Sequence, residues 1–262
     1  MEQVALESNA VFIGIEYLAT FFCGLSGGLA AIHKRYDLFS ILVLSWVTAL
    51  GGGITRDLLL GALPPVGITD KGFVLTALVS GIIVAIVHPE IDHLKWSMIT
   101  TDALALGLFA VNGTAKALAY HSSGMTAVFL GMFTALAGGT IRDILLNEVP
   151  SILRDKHLYA VPSFVGCLLT VFAARATDHW NLGLNGEMIL DIVVVIVVFA
   201  LRMLSVVFNI TFPGAVERRQ THLPSQSRYL KRPIIHPETP DDHETDRETD
   251  EEEQTDADRQ RA

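Results

Sequence analysis

The chain has 262 residues, half of them hydrophobic, and a mean hydropathy of +0.42. So apolar a composition excludes an ordinary soluble domain and points to a polytopic membrane protein. The formal net charge of −9 says nothing about a ligand, because twelve acids against three arginines between positions 238 and 262 account for all of it.

The first nine residues carry Glu2 and Glu7 and no Lys or Arg, so they do not read as a secretory signal. Apolar runs of about 20 residues span a bilayer as helices. Seven are expected here, over 10–32, 38–60, 72–87, 96–120, 125–146, 158–176 and 187–208. Their hydrophobicity is continuous around every face, without the period-two alternation of a membrane barrel. The expected fold is therefore an all-α membrane protein. Lys and Arg fall unequally between its loops. Lys34, Arg35, Lys95, Arg154, Lys156, Arg218 and Arg219 lie on one side, and Lys71 and Arg175 on the other, with Lys116 near the end of the fourth span. The positive-inside rule makes the first side cytoplasmic, with the N-terminus out and the C-terminus in.

Residues 213–237 are polar and basic, with Arg218, Arg219, Arg228, Lys231 and Arg232 against Glu217. They suit contact with anionic lipid headgroups, or a stop-transfer flank that fixes topology. Residues 239–262 are acidic and almost devoid of apolar side chains, so the whole of 213–262 is expected to be a disordered cytoplasmic tail. Cys23 and Cys167 lie inside apolar runs and support neither a disulfide framework nor a metal centre. No cofactor loop, nucleophile elbow, zinc spacing or nucleic-acid patch appears, so no enzyme and no nucleic-acid partner is expected.

One stretch is expensive. Gly51-Gly52-Gly53-Ile54-Thr55-Arg56-Asp57 sits inside the second span. Glycines in a helix interior cost about 1 kcal/mol each relative to alanine, and membrane-embedded charges about 2.5–3.5 kcal/mol each. The fifth span repeats it as Gly138-Gly139-Thr140-Ile141-Arg142-Asp143. Arg56 and Arg142 lie 86 residues apart, and the same offset aligns Glu16 with Asp102, Gly27 with Gly113, Ala31 with Ala117, Thr48 with Thr134 and Pro64 with Pro150. Residues 10–95 and 96–176 are thus expected to be two copies of one three-helix unit, with 187–208 outside the repeat. An odd number of spans per copy makes the repeat inverted, and sites in such folds lie near the midplane, where broken helices meet. The expected breaks are Gly51, Gly52 and Gly53 in one copy and Gly138 and Gly139 in the other.

A glycine break offers carbonyls to cations or N–H groups to anions, so it does not by itself fix the sign of a ligand. The candidate intramembrane charges are Glu16, Asp57, Asp102 and Asp143 against Arg56 and Arg142, with Lys116 close to an interface. That balance favours cations. The bland readings stand beside it: glycines for close helix packing, and Arg56–Asp57 and Arg142–Asp143 as structural pairs, crossed between the copies. Glu16 and Asp102 have no basic neighbour in sequence, which favours a cavity-facing role.

The two motifs, Gly-Gly-Gly-x-x-Arg-Asp-x-Leu-Leu-Gly and Gly-Gly-Thr-x-Arg-Asp-x-Leu-Leu, resemble the bacterial relatives of the trimeric intracellular cation (TRIC) channels, over roughly residues 11–208. The same bacterial domain is also catalogued as a glycine transporter. The resemblance implies a homotrimer in the cell membrane (the inner membrane for a Gram-negative source), with one pore per subunit conducting K⁺ and Na⁺. It also implies that the second and fifth helices kink at Gly51, Gly52, Gly53, Gly138 and Gly139 to line that pore. The second copy has Ala137 for the first glycine and Asn147 in the place of Gly61, so its kink is expected to be gentler. Animal members carry a Lys-Glu-Val lipid motif on the fourth helix; here Lys116 is followed by Ala117 and Leu118, and phosphoinositide binding is not carried over. A passive cation channel is thus the leading expectation. A secondary transporter of glycine or a similar small amino acid, and a membrane scaffold acting through its tail, are the alternatives.

Overall fold

In the computed structural model, which describes residues 10–87, 91–154, 158–180 and 183–211, every long element is a helix. In chain order they are α1 (Ala10–His33), α2 (Leu38–Leu60), α3 (Val66–Thr69), α4 (Lys71–Val87), α5 (Ile91–Ala119), α6 (Gly124–Leu145), α7 (Ser151–Arg154), α8 (Ala160–Trp180) and α9 (Gly183–Val207). Six of them, α1, α2, α5, α6, α8 and α9, are long and apolar enough to cross a membrane. The seventh apolar helix, α4, has 17 residues. At about 1.5 Å per residue it is about 25 Å long, a little short of a hydrocarbon core of about 30 Å. The expected tail lies outside the described residues.

The 86-residue repeat reaches down to individual caps. Asp37 accepts the amide of Ser40 at 2.9 Å to start α2, and Ser123 accepts that of Thr126 at 3.2 Å to start α6. Such caps satisfy amides that have no partner within the helix. At the other ends, Gly61 (φ 71°) and Asn147 (φ 55°) both take the left-handed conformation, and Ala62 and Glu148 each donate to the aspartate carbonyl five residues back. Asparagine tolerates that region better than most residues. The departure from Gly61 to Asn147 is therefore locally silent.

The glycines do something other than break their helices. Both α2 and α6 run on uninterrupted through them. The two helices cross so closely that a Cβ on Gly52 would strike the carbonyl oxygen of Thr134, and a Cβ on Gly138 that of Thr48. Position 52 meets 134 and 48 meets 138, so the helices are antiparallel at this crossing. In lipid the drive for helix association is packing itself, which small residues permit. The same logic packs each helix pair within a copy: Gly27 abuts Leu44 and Thr48, and Gly113 abuts Thr134. One contact is preserved by exchange, since Gly28 meets Ser45 whereas Thr114 meets Gly131.

Because the obstructing atoms at Gly52 and Gly138 are main-chain carbonyls, Gly52→Ala and Gly138→Ala should each destabilise by about 1–3 kcal/mol. Gly14→Ala, with open space around it, should be neutral or stabilising by up to about 1 kcal/mol. Thermal unfolding in detergent measures all three.

Candidate functional site

The antiparallel crossing carries a charged site in each copy, one turn beyond its glycines. In the first, the Arg56 guanidinium is fully buried, and each of its three nitrogens donates a hydrogen bond. Its Nη2 donates to Glu16 Oε1 at 2.6 Å, its Nε to Asp57 Oδ1 at 2.8 Å, and its Nη1 to Asn112 Oδ1 at 2.5 Å. Lys116 Nζ lies 3.1 Å from Asp57 Oδ1, and Asp57 Oδ2 accepts the amide of Val66 at the start of α3. Two cations thus face two carboxylates, and all four side chains are at most 9% exposed.

The second site is built on the equivalent residues. Arg142 Nε donates to Asp143 Oδ1 at 2.9 Å, and its Nη1 donates to Asp102 Oδ1 at 3.0 Å and to Ser26 Oγ at 2.6 Å. Ser26 and Asn112 are themselves 86 residues apart, so each copy lends one polar side chain to the other's arginine. Asp143 Oδ2 accepts both the amide (2.6 Å) and the hydroxyl (2.8 Å) of Ser151 at the start of α7. The position equivalent to Ser151 is Pro65, which has no N–H, so in the first copy the next residue, Val66, donates instead.

The copies differ where it matters for charge. Ala30 stands where the second copy has Lys116, so nothing equivalent to Lys116 reaches Asp143. Within the ion-paired cluster one arginine then faces two carboxylates, while Lys95, Arg154 and Arg202 line the cavity beside it. The second site is also open: the Asp102 side chain is 14% exposed. It borders a cavity of about 360 Å³ together with Lys95, Arg142, Arg154, Tyr159 and Arg202. Buried ion pairs seldom stabilise a fold relative to apolar side chains of the same size, because desolvation offsets the attraction. Two such clusters at repeat-related positions are hard to explain as packing alone.

Gly52 and Gly138 make the crossing, and Gly51 packs near Ile141. Gly53 lies beside Arg56, while Gly139 lies beside Arg142, Asp102 and Tyr159, so both leave room next to the charges. Glu16 and Asp102, without basic neighbours in sequence, are ion-paired in space, each to the arginine 40 residues ahead in its own copy. The Arg–Asp pairs are formed between adjacent residues; the contacts that cross between copies come from Asn112, Lys116 and Ser26. Lys116 is 1% exposed inside the bundle, where its Nζ meets the Asp57 carboxylate. Ser26, Asn112, Ser151, Tyr159 and Arg202 escape a sequence reading. The offset signals the first two as a polar pair, and Arg202 stands out as an arginine inside the seventh apolar run.

A third ion cluster is peripheral. Glu148 bonds Lys34 at 2.6 Å and Arg154 at 2.9 Å, joining the loop after α1 to the segment after α6. The hydrogen bond from Lys34, aided by the nearby charges, holds the Glu148 carboxyl below its ordinary value. A lowered folded pKa contributes stability above the ordinary glutamate pKa of about 4.3, and that contribution is lost as pH falls through the lowered value. Glu148→Gln should remove this acid-side loss and change stability at neutral pH by at most about 1 kcal/mol, read as Tm against pH.

Comparison with known proteins places this geometry. The family model described as Glycine transporter matches residues 14–89 and again 99–175. The chain is 30% identical over 192 residues to the UPF0126 inner membrane protein YadS of Escherichia coli, a match covering 65% of this chain and 93% of that one. It is 35% identical over 211 residues to the UPF0126 membrane protein SCO4104 of Streptomyces coelicolor, covering 80% and 93%. With the Deinococcus radiodurans UPF0126 membrane protein it shares 36% identity over 143 residues, or 54% of this chain and 66% of that one. Among solved structures it is similar to a TRIC cation channel studied for its conductance (31% identity, TM-score 0.64, 77% of this chain and 96% of that one). It is also similar to the Rhodobacter sphaeroides orthologue of the TRIC trimeric intracellular cation channel (28%, TM-score 0.67, 77% and 100%). The chain is a multi-pass cell-membrane protein, and it belongs to the glycine-transporter-domain, UPF0126 family, whose fold is that of the bacterial TRIC channels.

Proposed function

We propose that this protein is a passive channel for monovalent cations, K⁺ and Na⁺, with a pathway in each subunit running between two inverted three-helix repeats. The observation that carries the reading is the pair of repeat-related charged sites flanking one antiparallel helix crossing, the second of them open, through Asp102, to a cavity. The double match of the family model supports the duplication, and the structural likeness to TRIC cation channels supports conduction. In this reading α4 is the seventh span, the N-terminus is outside, residues 213–262 are cytoplasmic, and the protein is a homotrimer like its namesakes. Gly53, Gly139 and the charges beside them line the pathway. In this reading the contacts of Arg56 and Lys116 with Glu16 and Asp57 close the first site, and conduction requires them to part. No enzymatic step is proposed.

One observation favours a second reading, the uptake of glycine. The cavity sets the Asp102 carboxylate among Lys95, Arg154 and Arg202, opposite charges that suit the two ends of a zwitterion. Proteoliposomes separate the two. The channel reading expects K⁺ efflux down its gradient that does not saturate in the millimolar range and is indifferent to glycine. Saturable glycine uptake without K⁺ flux would replace it with the carrier.

A further inference from the structure

Helix α9 stands outside the repeat, yet it reaches into the second charged site. Arg202, in its last third, is 4% exposed, and Ser205, one turn on, is fully buried. Between them they grip the residues that lead into α8. Arg202 Nη1 donates to the Leu158 carbonyl at 2.9 Å, and the Leu158 amide donates to Ser205 Oγ at 2.8 Å. The Arg202 guanidinium lies 4.6 Å from the centroid of the Tyr159 ring, within the range of a cation–π contact. Tyr159 in turn donates its hydroxyl to Asp102 Oδ2 at 2.9 Å. The Asp102 carboxylate is thereby divided: Oδ1 serves Arg142 and Ser26, and Oδ2 serves Tyr159. The first copy lacks this arrangement. Phe73 stands at the position equivalent to Tyr159, has no hydroxyl to offer Glu16, and instead stacks on Tyr17 at 4.2 Å.

We propose that Arg202 and Tyr159 are positioning residues through which α9 controls cation entry into the second site. Arg202, with Ser205, holds the Tyr159 ring so that its hydroxyl occupies Oδ2 of Asp102. Both groups line the cavity with Asp102, Arg142, Lys95 and Arg154; Asp102 supplies the carboxylate in that lining, so Oδ2 is the oxygen that a cation arriving there would otherwise take. Cation binding then requires the phenol to yield, and α9 sets how readily it does. The inference rests on the reading that cations occupy this cavity, and it assigns regulation of that site to a helix the duplication does not explain.

The test is carried out on the full chain in lipid vesicles. Met98, which lines the cavity, is replaced by cysteine, and its modification by a small cationic thiosulfonate is followed with and without KCl; Cys23 and Cys167 are buried. In the samples without KCl, the chloride of a large organic cation takes its place and keeps ionic strength constant. Tyr159→Phe keeps the ring but not the hydroxyl, and should lower the K⁺ concentration that half-protects the cysteine by roughly tenfold, the scale of one hydrogen bond to a charged group. Arg202→Met should shift it in the same direction, Arg202→Lys should restore part of the original value, and Arg202→Met should add nothing in the Tyr159→Phe background. Bilayer recordings of the same variants should show K⁺ conductance half-saturating at correspondingly lower concentration. Unchanged K⁺ protection in Tyr159→Phe, or effects of the two substitutions that simply add, would overturn the proposal. If Arg202→Met does not fold, Tyr159→Phe and Arg202→Lys decide it. Should the wild type pass no current while K⁺ protection shifts as stated, the channel reading fails and the positioning role stands.

Discussion

Arg56→Met should all but abolish the folded protein, with a loss of about 3–5 kcal/mol. The substitution removes the guanidinium that binds Glu16, Asp57 and Asn112 at once, inside a site where none of the partners is more than 9% exposed. Lys116 stays 3.1 Å from Asp57 and compensates one carboxylate. Glu16 is then left buried and unpaired, and the loss approaches the whole stability of a marginal protein. Arg56→Met combined with Glu16→Gln should therefore recover part of the loss, because it removes the stranded charge. Monodispersity and thermal unfolding in detergent distinguish the three proteins. A single Arg56→Met variant as stable as the wild type would mean that the cluster is far more hydrated than its burial implies.

The second large effect is expected at the open site, and on conduction rather than folding. Asp102→Asn removes the carboxylate that stands in the cavity among Lys95, Arg142, Arg154 and Arg202, while leaving Arg142 bonded to Asp143 and Ser26. Two unit charges 4 Å apart near a protein surface exchange about 4 kcal/mol. Even a third of that is about 1.4 kcal/mol, or tenfold in occupancy. Asp102→Asn should thus lower K⁺ conductance on the order of tenfold at low KCl, with little change in Tm and with the deficit shrinking as KCl is raised. Conductance measured across a KCl series checks both the size and the salt dependence. Asp102→Glu should keep most of the wild-type conductance.

How much of this the residues announce differs from one feature to the next. The spans are legible because lipid demands long apolar runs: the run expected over 38–60 is the helix Leu38–Leu60, and the others shift by a few residues at their ends. The fifth helix begins before its apolar run, at Ile91, since a helix does not end where hydrophobicity does. The short helices α3 and α7 are invisible, for at four residues each they have no periodicity. They form because Asp57 and Asp143 hold their first amides. The glycine motifs are conspicuous, but composition does not say whether a glycine bends a helix or admits a neighbour. The carbonyl of Thr134 against Gly52 shows that this glycine admits a neighbour, and no linear reading supplies that contact. Likewise the charges are easy to find and their partners are not. Glu16 and Arg56 are 40 residues apart, and their pairing depends on the register in which α1 packs on α2. Arg202 is visible as an arginine inside an apolar run, but its partners Leu158 and Tyr159 are not, because they lie more than forty residues earlier in the chain.

A planar bilayer containing the purified full-length chain, with KCl at unequal concentrations on its two sides, tests the central claim most directly. The account predicts discrete unitary currents that reverse near the K⁺ equilibrium potential and are unaffected by glycine. Absence of unitary current from protein that takes up glycine saturably, or a reversal near the Cl⁻ potential, would contradict it.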